Sequence, residues 1–286
     1  MHMNAPTMVA AKPFFADLPG RGRRLCIHSP PVGPLRGAVL QVHAFAEEMN
    51  KTRRMAALGA RALAAVGFGV LQIDLLGCGD SDGGFGDATW NEWLRDLAWA
   101  AEWLRERHVA PLTLWGQRAG ALLAAEAASS LPGTYDLLVW CPITQGKAVV
   151  QHLYRLEAAS RWRTGEEKAA VAQLKSLLAA GRSIDVAGYE IGAELVRSLD
   201  AASFAPPAPE RAAHCRRMTW LEVSGSNAVA DLSHGALAQI ERWQAAGIPT
   251  QARCVPGQAF WRTVEAVDAP ALVDATVSAM LDRAVP

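Results

Sequence analysis

Nowhere in the 286 residues is there a run of about 18 consecutive apolar side chains, the length a helix needs to cross the hydrocarbon of a bilayer. The sequence therefore predicts no transmembrane segment. An excess of charge of one sign is lacking too: 28 basic residues stand against 28 acidic ones, a formal net charge of zero. A nucleic-acid binder needs a basic face to neutralise phosphates, and a polybasic membrane anchor needs a cluster of cations; the composition supplies neither. Met1 to Phe15 contains Lys12 as its cation and no uninterrupted apolar stretch, so no secretory signal is expected and the chain reads as cytoplasmic. The cysteines, Cys26, Cys78, Cys141, Cys215 and Cys254, are odd in number and widely spread. They form no Cys-x-x-Cys pair and have no histidine at zinc-site spacing, so reduced and mostly buried thiols are expected, with no metal. There is no P-loop lysine motif. The glycines at 77, 79, 83 and 84 do not open a helix directly, as a dinucleotide fingerprint requires, so no cofactor is implied.

What is present is a composition of 51% hydrophobic and 20% charged residues, that of a globular chain large enough to bury a core without staples. Short apolar runs of strand length alternate with amphipathic runs of helix length, the pattern of a mostly parallel sheet flanked by helices on both faces. Strands are expected at Lys12–Asp17, Arg24–His28, Ala38–His43, Val70–Leu75, Leu112–Trp115, Asp136–Cys141, Met218–Val223 and Gln251–Val255. Helices are expected at Thr52–Val66, Ala88–His108, Arg118–Leu131, Leu232–Ala246 and Ala269–Arg283. Between residues 146 and 209 the pattern changes to helix-length segments without intervening strands, roughly Lys147–Arg161, Gly165–Ala180 and Gly188–Leu199, which reads as an inserted helical lid. The proline-rich stretch from Ala205 to Pro209 marks the return to a core made of residues 1–145 and 210–286.

In an open parallel sheet, ligands bind beyond the carboxyl ends of the strands. One turn there has the strand, glycine-flanked bend and helix of a nucleophile elbow, where a serine stands between glycines as G-x-S-x-G. Here it reads Gly116-Gln117-Arg118-Ala119-Gly120, with an arginine at the nucleophile's position. A guanidinium is permanently charged and only donates hydrogen bonds, so it cannot attack a carbonyl. The loop after the last strand, Pro256 to Trp261, has no histidine, and none occurs after His234. The serine mechanism has lost two members of its triad.

The segments His43 to Lys51, Ile73 to Ser81, Asp87 to Trp90, Trp115 to Gly120 and Gly257 to Trp261 resemble the exosortase A system-associated hydrolase 2 family. The resemblance implies an α/β-hydrolase fold and a bacterial setting of exosortase/PEP-CTERM protein sorting and exopolysaccharide production. It implies no substrate.

Several residues then become candidates. Arg118, placed at a helix start with Gln117 beside it, is expected either to hold a carboxylate or phosphate of a ligand or to pair internally with Glu47, Glu48 or Asp74. His43, at the end of a central strand, reads as a general base oriented or replaced by Glu47 or Glu48, or as a histidine that fixes its loop. The two glutamates are adjacent, so on a helix they point about 100° apart and only one is expected to reach the pocket. Cys78 is the alternative nucleophile, or else a packing residue. Gln258 and Trp261, after the last strand, are expected to contact the ligand. The functional readings are a non-standard hydrolase or a binder of an anionic ligand or acyl substrate, against an inactive scaffold or metabolite sensor. Partners would be that small molecule, a second copy of the chain or a component of the same locus.

Overall fold

A computed structural model describes residues 10–160, 167–226, 228 and 231–282. An eight-stranded sheet runs in the order β1-β2-β4-β3-β5-β6-β9-β10. Its strands are β1 (Lys12–Leu18), β2 (Gly22–Ser29), β3 (Gly37–Val42), β4 (Phe68–Ile73), β5 (Leu112–Gln117), β6 (Tyr135–Trp140), β9 (Cys215–Val223) and β10 (Thr250–Val255). The first two pair antiparallel to each other, β2 pairs antiparallel to β4, and every pair from β4 to β10 is parallel. The central strands β3, β5 and β6 are buried on both faces, which is why they read as continuous apolar runs rather than as alternating ones.

Helices α1 (Ala46–Ala65), α2 (Trp90–Arg107), α3 (Gly120–Ser130), α8 (His234–Ala245) and α9 (Pro270–Leu281) flank the sheet. Two apolar clusters result, one under α2 and α3, the other under α1 and α9. Helix α2 starts where expected because Thr89 caps it, its hydroxyl accepting from the Glu92 amide. Its buried Asp96 carboxylate receives Arg24 Nε at 2.9 Å, Arg21 Nη2 at 2.7 Å and the Leu76 amide at 2.8 Å. Arg24 and Asp96 are both fully buried, so this cluster ties the antiparallel end of the sheet to α2.

Two expectations need correction. Helix α1 begins at Ala46, six residues before the expected Thr52, because Glu47 and Glu48 in its first turn suit the positive end of the helix dipole. The segment between β6 and β9 is not purely helical: α4 (Gly146–Ser160), α5 (Glu167–Ala179) and α6 (Ala193–Ala201) are interrupted by a hairpin, β7 (Ile184–Val186) and β8 (Tyr189–Ile191). Its two-residue turn is Ala187-Gly188, both at positive φ, a hairpin signal missed because the strands are only three residues long. A short helix α7 (Pro209–Ala212) precedes β9. The expected helix ends at Arg161, Gly165 and Arg283 lie outside the described residues.

Candidate functional site

The turn from β5 to α3 is built as an elbow. Arg118 has φ of 52°, the left-handed region that a residue with a side chain seldom adopts. A Cβ on Gly116 would overlap Ala121, and one on Gly120 would overlap the backbone carbonyls of Val42 and His43, so both flanking glycines are needed for the close approach. The Arg118 amide donates to Trp140 O at 3.0 Å, and its carbonyl accepts from the Ile143 amide at 3.1 Å. Helix α3 itself begins at Gly120, so Arg118 precedes the helix rather than opening it.

Each of the three guanidinium nitrogens makes one hydrogen bond. Nε and Nη2 donate to the two oxygens of Glu48 at 3.1 and 3.2 Å, and Nη1 donates to Cys141 O at 2.7 Å. The guanidinium carbon lies 4.3 Å from the centroid of the Trp261 ring, a cation–π contact. Of the two sequence readings of Arg118, internal pairing is the one the geometry carries, and Glu48 is the partner. Glu47 pairs instead with Lys51 at 2.6 Å on the same helix.

Above Arg118 lies a cavity of about 590 Å³ between the sheet's carboxyl edge and the cap formed by α4, α6 and β8. The core side contributes Phe45, Ala46, Phe85, Trp93, Ala119 and Ile143; the cap contributes Val149, Leu153, Leu156, Leu195 and Leu199. Charged residues at the cavity are Glu47, Glu48, Lys51, Arg118, Arg155 and Arg262, with His152 beside them. Among the described residues, no serine, threonine, tyrosine or cysteine lines it, nor any asparagine or glutamine. Among the described residues no group of three metal-ligating side chains occurs.

Of the sequence candidates, the fold brings Arg118, Trp261 and both Glu47 and Glu48, where only one glutamate was expected, to this cavity and leaves four elsewhere. His43 is buried, with Nδ1 2.6 Å from Ala44 O and Nε2 accepting from the Leu75 amide at 3.3 Å. Burial pushes its pKa down, against the opposing pull of Asp74, so a neutral ring fixes the loop and has no lone pair left for a base's work. Cys78 is buried outside the cavity, and burial, reinforced by Asp74 and Asp96, pushes its thiol up. It packs as a neutral thiol, not as a nucleophile. Gln117 faces the body of the protein beside a separate void of about 30 Å³, roughly one water's share of space, lined also by Gln41, His43, Arg53 and Asp74. Neither atom of its amide has a protein partner. Gln258 is exposed and does not line the cavity.

The sequence reading missed Lys51, His152, Arg155 and Arg262. A signal existed for those on α4: Val149, His152, Leu153 and Leu156 fall at the i, i+3, i+4, i+7 spacing of one helix face, and Arg155 adjoins it.

The family described as serine aminopeptidase, S33, matches residues 33–176. Solved structures similar to the chain include Est1E from Butyrivibrio proteoclasticus with ferulic acid bound, at 15% identity and a TM-score of 0.62, covering 94% of this chain and 98% of that one. A thermostable carboxyl esterase from Bacillus coagulans in complex with glycerol matches at 14% identity and a TM-score of 0.62, covering 96% and 99%. A soluble variant of monoglyceride lipase from Saccharomyces cerevisiae in complex with a substrate analogue matches at 14% identity and a TM-score of 0.59, covering 99% and 98%. No curated protein sequence matches the chain. At these identities the structural likeness carries the fold alone, and that fold is the α/β-hydrolase fold the sequence resemblance implied.

Proposed function

We propose that this chain, which belongs to the serine aminopeptidase S33 family of α/β-hydrolase folds, binds a small anionic molecule beneath its cap and performs no acyl-enzyme chemistry. We place it in the exosortase-linked sorting and exopolysaccharide system that its motifs resemble. One observation carries the reading: among the described residues the cavity that reaches the elbow has no hydroxyl or thiol side chain, and the residue at the elbow is an arginine whose three nitrogens are already bonded. Covalent catalysis needs a nucleophile beside a base. The nearest histidine of the sequence's candidate set, His43, spends both ring nitrogens on backbone groups, and Trp261 occupies the loop after β10 where a triad histidine would stand.

Two measurements test this. Incubation with a fluorophosphonate probe is expected to leave the intact mass unchanged, and a panel of p-nitrophenyl esters and acyl thioesters is expected to show no turnover above buffer. A covalent adduct on any cavity residue, or turnover that is lost in His43→Ala, would overturn the proposal.

A further inference from the structure

We infer that the ligand of this cavity is a single-chain amphiphile, an extended alkyl chain ending in one carboxylate or phosphate, with the chain inside and the anion at the mouth. The inference rests on the binding reading above and names its ligand class. It follows from where each kind of side chain lies.

Away from the Arg118–Glu48 pair at its floor, the interior is mostly apolar. Phe45 and Trp93 are buried on the core side, and Leu153, Leu195 and Leu199 are buried on the cap side. With no hydroxyl or amide side chain among the described lining residues, a ligand with polar groups along its length, such as a sugar or a nucleoside, would give up most of its water hydrogen bonds without replacement. An unbranched hydrocarbon loses nothing on entering. The Trp93 indole is no exception, because its N–H already donates to Leu76 O at 3.0 Å.

The unpaired charge lies at the opening. His152, Arg155 and Arg262 are exposed yet line the cavity, so they form its rim. The two glutamates at the site are each committed, Glu47 to Lys51 and Glu48 to Arg118. Among the described residues Arg155 and Arg262 have no carboxylate partner, so the rim carries two uncompensated guanidinium groups that suit a bidentate anion.

Isothermal titration calorimetry of the full chain with octanoate, nonanoate and decanoate, below their micellar concentrations, tests the chain. Affinity is expected to rise about fourfold per added methylene. Decyl phosphate is expected to bind within about tenfold of decanoate, whereas 1-decanol and decyltrimethylammonium bind at least about tenfold more weakly. The exposed double variant Arg155→Gln, Arg262→Gln should reduce decanoate to the level of decanol and leave decanol unchanged. Equal binding of the ammonium compound, no dependence on chain length, preference for trans-cinnamate, or capture by phosphatidylglycerol vesicles without binding of soluble decanoate would each overturn the inference. Loss of the chain-length dependence, the cinnamate preference and the vesicle result leave the binding proposal standing, whereas equal binding of the ammonium compound would remove its anion as well. Hydrolysis of p-nitrophenyl decanoate would overturn the binding proposal instead.

Discussion

Removing Glu48 isolates the contact on which the site depends. The pair it forms with Arg118 has side-chain exposures of 15% for the arginine and 22% for the glutamate, with two hydrogen bonds between them. Breaking a fully buried pair costs about 3–5 kcal/mol, while an exposed pair contributes about 0.2–1 kcal/mol. A site four-fifths shielded from solvent falls between these limits, and in Glu48→Ala the arginine keeps Cys141 O and the Trp261 face. The expected loss is about 2–3 kcal/mol, or about 3–5 °C in Tm for a chain of this size. Arg118→Ala should cost less, about 1–2 kcal/mol, because the stranded Glu48 sits in the first turn of α1, where the helix dipole favours a carboxylate. The double variant then loses less than the sum, with a coupling of about 1–2 kcal/mol. Urea unfolding of the four proteins followed by circular dichroism measures it. A coupling below about 0.5 kcal/mol would mean the pair is ornamental and the elbow is held by its backbone alone.

Asp96→Ala strands the fully buried Arg24 and is expected to cost about 3–5 kcal/mol in urea unfolding; by contrast Arg54→Ala, at the exposed pair with Asp268, should leave the midpoint unmoved. The His28 ring, pushed down to about 4 by burial and by the adjacent His108 at 3.0 Å, takes up its proton later in the folded state than in the unfolded chain. Its contribution is therefore complete above about pH 6.5 and is lost as pH falls toward 4, by about 1–2 kcal/mol once solvent screening of this half-buried pair is allowed for. His28→Asn should flatten the pH dependence of the urea midpoint over that window, and superimposable profiles would refute the assignment. Arg118→Ser places a hydroxyl at the elbow while Trp261 still occupies the loop of the triad histidine, so p-nitrophenyl acetate hydrolysis should stay at background. A tenfold rise would show that a base had been overlooked.

Where hydrophobic periodicity is strong, the chain spelled out its own elements: β3, β4, β5, β6 and the long α2 lie within a few residues of their expected bounds. The misses have physical causes. The β7–β8 hairpin is too short for alternation to register. Helix α1 starts early, because its first turn is stabilised by charge rather than by an apolar stripe. At the site, the glycine spacing and the arginine between them were legible, since they depend on local backbone geometry. Which acid meets Arg118 was not, because Glu48 is 70 residues away and the pairing depends on how α1 leaves β3. His43 and Cys78 kept a catalytic and a structural reading each for a related reason: a position at the carboxyl edge of a strand does not say on which side of the loop the side chain is buried. The rim arginines lie on the cap and after β10, where sequence gives composition but not orientation.

The elbow explains why charge alone does not suffice at position 118. In this fold the turn projects one side chain from a strained residue into the cavity, and a short nucleophile there would need room to react. The long guanidinium instead spans the gap and links four pieces of chain: the turn itself, the first turn of α1 through Glu48, the end of β6 through Cys141 O, and the loop after β10 through Trp261. Those contacts use a planar fork, two parallel bonds to one carboxylate and a flat face on an indole. A lysine keeps the charge and loses all three geometric features, since an ammonium is a point charge that cannot hold Glu48 bidentately while stacking on Trp261. Arg118→Lys is therefore expected to recover less than half of the stability lost in Arg118→Ala, measured by the same urea unfolding. Full recovery would show that the floor of the cavity is held by electrostatics without directional bonding.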